Sequence, residues 1–139
     1  MDLTSGFPLE NPAIFVPSRV KEADFRNLLP AAHEVTCGYY VLTRCTSLGG
    51  LVHDLGFHFA PPLNGRLHEL EFFSFAFPDL DTSFRSFQQH LEAIFGPPTD
   101  QAPGDGGFPH YSWRQMPGVE VVHLVFDRFG PEEHVRIRW

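Results

Sequence analysis

The chain has 139 residues, a length that predicts one domain able to bury about two thirds of its unfolded surface without a metal or disulfide. Its composition is 42 % hydrophobic and 19 % charged, which excludes a disordered chain. The formal charge of −7, from ten basic and seventeen acidic residues, argues against a nucleic-acid backbone or an anionic membrane as partner and is compatible with a basic protein.

The opening segment Met1 to Gly6 has neither the basic nor the apolar region of a secretion signal, and no run approaches the roughly eighteen apolar residues of a membrane span. A cytoplasmic protein is expected, with Cys37 and Cys45 as free thiols along one strand. Residues 1–10 read as a loosely ordered lead-in. Ala13 to Val16 forms a short strand, and Ser18 is placed to cap a helix that runs to Leu29 before Pro30. Gly38 to Thr46 and Leu51 to Ala60 read as a hairpin around Ser47-Leu48-Gly49-Gly50. In its second arm Leu51, Leu55, Phe57 and Phe59 share one face, which His53 interrupts, and His58 falls on the other.

After a turn at residues 61–65, Arg66 to Phe77 returns as a strand that is apolar on both faces from Leu70 onward, the pattern of a covered sheet. The best-marked helix runs from Asp81 to Phe95. Asp79 or Asp81 stands at its start, Phe84, Phe87, Leu91 and Ile94 recur at helical spacing, and Gly96-Pro97-Pro98 ends it. A Gly/Pro-rich loop over residues 97–109 leads to strands at His110 to Gln115, Val119 to Arg128 and His134 to Trp139. The expected fold is α+β: one domain over 1–139, with a mainly antiparallel sheet covered by two helices in an order that reads as a degenerate βαββ duplication.

Eight histidines supply candidate metal ligands, but no HExxH or comparable spacing is present, and surface or hydrogen-bonded histidines are the alternative. The strand–helix–three-strand order of residues 66–139 resembles a module of the vicinal oxygen chelate superfamily. That resemblance implies a small metal-dependent enzyme with His68, His123 and Glu133 as its ligands, although the first half offers no matching set and His123 shares a face with Val119, Val121 and Val125. Cys37 or Cys45 could meet a histidine as a nucleophile, yet neither lies at a helix N-terminus, and buried inert cysteine is the better reading. The serines lack a G-x-S-x-G setting, and Gly104-Asp105-Gly106-Gly107 does not join a strand to a helix as a phosphate loop must. No catalytic residue and no cofactor is expected.

Acidic residues gather in the loops: Asp79 and Asp81, Asp100 and Asp105, and Asp127, Glu132 and Glu133, with Phe108, Tyr111 and Phe129 nearby as aromatic anchors. Solvated turns also carry such residues for purely local reasons. If the sheet ends meet, Asp100, Asp105, Asp127, Glu132 and Glu133 form an acidic partner-binding rim with Phe129 as anchor. The segments His90-Leu91-Glu92, Phe95-Gly96-Pro97-Pro98, Trp113-Arg114 and Val125-Phe126-Asp127-Arg128-Phe129-Gly130-Pro131 look like those of small bacterial immunity proteins that neutralise polymorphic or secreted toxins. The resemblance covers the last third to half of the chain. It implies a cytoplasmic, non-catalytic, acidic protein that occludes the active site of a cognate, basic toxin; a homodimer formed through an exposed sheet edge is a further alternative.

Overall fold

A computed structural model describes residues 1–61, 65–74 and 79–139. The chain is α+β. Two short strands, β1 (Gly6–Pro8) and β2 (Phe15–Pro17), pair with each other, and helix α1 (Glu22–Leu28) follows. Then come β3 (His33–Thr36), β4 (Tyr39–Ser47), β5 (Leu51–Ala60), β6 (Arg66–Phe73), helix α2 (Leu80–Phe95), β7 (Asp100–Ala102), a 3-10 turn at Asp105–Gly107, β8 (His110–Trp113), β9 (Glu120–Asp127) and β10 (Pro131–Arg138). Among the described residues, eight of these strands form one antiparallel sheet in the order β3-β4-β5-β6-β10-β9-β8-β7.

The repeat has a different unit from the expected βαββ. Each half is a helix followed by a four-stranded meander, α1-β3-β4-β5-β6 and α2-β7-β8-β9-β10, and the last strands of the two meanders pair at the sheet centre. Both helices and the β1–β2 hairpin cover one face. Phe25 of α1 is the wedge of the first half, its ring 4.7 Å from Phe57, 5.0 Å from Phe59 and 5.4 Å from Tyr40. Phe84, Phe87 and Leu91 of α2 are buried, and Ile94 packs at the margin.

α2 begins where its sequence dictates: the Asp79 Oδ1 accepts the Thr82 backbone N–H at 2.7 Å, answering one of the unpaired donors of the first turn. It ends at Gly96, whose φ of 77° lies in the left-handed region that favours glycine. α1 does not start at Ser18. That hydroxyl donates to the Thr4 carbonyl at 3.0 Å instead, and the helix begins after Lys21 without a side-chain cap.

Residues 1–10 are not a loose lead-in. Leu3 and Phe7 are fully buried and Leu9 nearly so, while the Glu10 carboxylate accepts the N–H groups of Gly49 and Gly50 at 2.7 and 2.8 Å, closing the β4–β5 turn. The Trp139 Nε1–H donates to the Leu3 carbonyl at 2.7 Å, so the two chain ends meet. The strand expected over 66–77 is described to Phe73. Phe73 belongs to the face opposite α2, while Phe75, like residues 62–64 of the preceding turn, lies outside the described residues. Two short edge strands, β3 and the β7 found inside the expected 97–109 loop, complete the sheet.

Leu91 is wholly buried under the sheet. Leu91→Ala should lower unfolding free energy by about 2–5 kcal/mol in chemical denaturation, the range for truncating a packed leucine. A loss below about 0.5 kcal/mol would place this helix face outside the core.

Candidate functional site

The uncovered face of the sheet is polar. Register puts Glu71 opposite Arg136 and Glu69 opposite Arg138 across the β6–β10 seam. Arg136 reaches Glu69 and Glu71, each at 3.3 Å, and the Arg138 Nε–H donates to Glu69 at 2.6 Å. The chain of charges continues outward: Arg138 to Glu120 at 3.5 Å, Glu120 to Arg114 at 2.7 Å, and Arg114 to Asp100 at 3.7 Å. On the other side the His58 Nε2 lies 2.9 Å from Glu71, and Tyr39 stacks on the His58 ring at 4.4 Å. Gly56 permits that stack, since a Cβ there would stand 2.8 Å from the Tyr39 ring.

Burial pushes the Glu71 carboxyl up, but the hydrogen bond from His58 and the charges of Arg136, His58 and His134 outweigh it and hold the group below its ordinary range. Among the described residues, His58, Glu69 and Glu71 bring ligand atoms within 4.8 Å of one another, a geometry that can hold a metal. Arg136 and Arg138 already occupy those carboxylates, so an entering cation would have to displace them.

The metal set His68, His123 and Glu133 is not assembled. His123 and Glu133 meet at 2.7 Å on the helix side of the sheet, whereas the His68 ring lies 6.5 Å from His58, on the uncovered side. His123 is fully buried, stacked on Phe84 at 3.9 Å, with its Nδ1 at 2.8 Å from the Gln88 Oε1. The Gln88 amide is oriented by its own donation to Glu92 at 2.7 Å. The Gln88 Oε1 is placed to accept the His123 Nδ1–H, and Nε2 lies against the Glu133 carboxylate at 2.7 Å. Ser83 donates to the same carboxylate.

His53, the interruption in the apolar face of β5, is equally buried. Its Nδ1–H donates to the Asp54 carbonyl at 3.0 Å, leaving Nε2 to accept from the Ser47 hydroxyl at 2.5 Å. Cys45 does stand beside it, with 3.6 Å between Sγ and Nδ1, but burial pushes that thiol up to about 12. It is no nucleophile at neutral pH.

The acidic residues divide. Asp105, Asp127, Glu132 and Phe129 gather at one end of the sheet, where the Asp127 N–H donates to Asp105 at 2.9 Å; Asp79 and Leu80 at the start of α2 line a cleft with Glu132 there. Phe129 is 92 % exposed, and Glu132 points to solvent. Asp100 is elsewhere. It pairs with Ser112, opposite Val122, five residues along β9 from Asp127, or roughly 16 Å at strand rise. Glu133 is not part of a rim either, because β10 turns it inward to His123.

Sequence reading missed the charge chain across the uncovered face. Its signal was present as period-two charge, Glu69-x-Glu71 and Arg136-x-Arg138, which marks one strand face. No protein-family model, no curated protein and no solved structure matches the chain. Among the described residues, no helix is long and apolar enough to cross a membrane.

Two outcomes test this description. Arg136→Ala removes a guanidinium shared by two largely buried carboxylates, leaving Glu69 to Arg138 and Glu71 to His58, and should cost about 1–3 kcal/mol in urea unfolding, whereas Arg114→Ala, at the exposed end of the chain of charges, should cost under about 0.5 kcal/mol. Burial holds both His53 and His123 below the ordinary histidine value of 6.5, the latter against the pull of Glu133. The unfolded chain then binds more protons than the folded one below pH 6.5, so stability should be full above about pH 7 and fall as pH drops from there. The Glu71 contribution is lost in a separate window, below its ordinary 4.5. Thermal midpoints that stay level between pH 7 and 5 would contradict neutral buried histidines.

Proposed function

We propose that the chain is a non-catalytic binding protein of the immunity type, which neutralises a cognate bacterial toxin in the cytoplasm by covering its active site. The observation that carries this reading is the convergence of Asp79, Asp105, Asp127 and Glu132 on one end of the sheet around the exposed Phe129. Charge at that end speeds encounter with a basic surface, and the phenyl ring supplies an anchor that gains by desolvation. The burial of His123, His53 and Cys45, which lack solvent access, supports a non-catalytic reading. A metal-dependent enzyme is favoured only by the His58, Glu69 and Glu71 cluster, and there the two arginines oppose it.

The test is coexpression with the toxin-like product of a neighbouring reading frame, followed by binding kinetics. The chain should restore growth. Phe129→Ala should raise the dissociation rate by about tenfold or more, and Asp127→Lys with Glu132→Lys should slow association and flatten its salt dependence. Unchanged rates in both variants would move the interface away from this end. One tightly held metal per chain, lost in His58→Ala, would replace the binding reading with the enzyme. A dimer in light scattering that is lost on charging β3 would favour self-association.

A further inference from the structure

A groove of about 400 Å³ runs along the β9–β10 hairpin on the uncovered face of the sheet. Its floor is apolar, from Leu124 and the half-exposed Phe126, and Phe129 forms its lip. Arg128, Arg136 and Arg138 line it with Glu132 and His134; Arg136 and Arg138 are already paired with Glu69, Glu71 and Glu120, which leaves the Arg128 guanidinium for an occupant. Arg128 lies over the Phe129 ring at 5.4 Å, with no carboxylate partner among the described ion pairs.

We propose that this groove takes an apolar, carboxylate-bearing peptide segment of a partner protein. The apolar floor favours an aromatic or aliphatic side chain, and Arg128 can swing from its stack to meet an adjacent carboxylate with two parallel N–H donors. A phosphodiester chain fits poorly, because Asp105 and Asp127 at the hairpin end would repel its continuous charge. The inference rests on the reading above only in taking the occupant to be part of a protein. It adds that the partner, basic where it faces Asp127, presents an acidic-apolar patch beside that region.

The test uses the full isotope-labelled chain and two short capped peptides, one alternating phenylalanine with glutamate and one alternating phenylalanine with lysine. Amide shifts should be confined to residues 124–129 and 132–138, and the glutamate peptide should bind about tenfold or more tighter than the lysine peptide. Arg128→Glu and Phe126→Ala should each weaken the glutamate peptide by about tenfold without moving the thermal midpoint. Equal affinity for the two peptides, shifts centred elsewhere, undiminished binding by either variant, or no binding at all would overturn the proposal. No toxin is present in this titration. Its failure leaves the neutralising role to the growth assay, and a failed growth assay leaves the groove to be judged by the peptides.

Discussion

The β6–β10 seam is the constraint on which the rest of the sheet depends, because among the described residues it is where the two meanders pair strand to strand. On its helix side Leu70, Phe72, Val135 and Ile137 are buried; on its open side Glu69, Glu71, Arg136 and Arg138 interlock. A slip of β10 by one residue would exchange its faces, driving Arg136 and Arg138 under the helices and Val135 and Ile137 away from the core. The ion pairs need not add much net stability to specify the register, since the misregistered alternative leaves charges buried without partners. The seam is thus selected by what it excludes as much as by what it contacts.

The helix side is closed by segments distant in sequence. Phe7 of β1 meets Phe72 of β6 edge-on at 5.5 Å, α1 drives Phe25 between the rings of β4 and β5, and Trp113 of β8 donates to the Gly96 carbonyl behind α2 at 2.9 Å. Leu3 is fixed at both backbone groups, its N–H toward the Met116 sulfur at 3.3 Å and its carbonyl on Trp139. Tryptophan occupies such positions because its large apolar body can be buried while its single N–H finds an acceptor.

What the sequence made legible follows from local physics. The bounds of α2 came from an N-cap acid, a four-residue apolar stripe and a terminal glycine, all of which act within a turn or two. The β4–β5 hairpin was readable for the same reason, through alternation and two glycines at positive φ. By contrast, Met1 to Glu10 carries no periodicity of its own, and its burial depends on a cavity built by residues far along the chain. Strands β3 and β7 are only four and three residues long and almost wholly exposed, so they form by pairing with β4 and β8 rather than by any apolar pattern. The candidate site divided along this line too: Asp127, Phe129 and Glu132 sit in one turn, whereas Asp100 and Glu133 needed strand register to be placed.

That division decides where the field of the molecule originates. The charge chain holds four acids, Asp100, Glu69, Glu71 and Glu120, against three arginines, 114, 136 and 138, a net of −1 with histidine neutral, out of −7 for the whole chain. Charges this close cancel within a few ångströms, so the long grid contributes little beyond a Debye length. Asp105 and Asp127 at the sheet end have no arginine across from them among the described ion pairs, and Glu132 has only a histidine. The same residue types therefore do two jobs. Where the sheet pairs them they fix register, and where the β9–β10 turn releases them they project a negative potential beside an exposed aromatic ring, the arrangement expected of a surface that meets another protein.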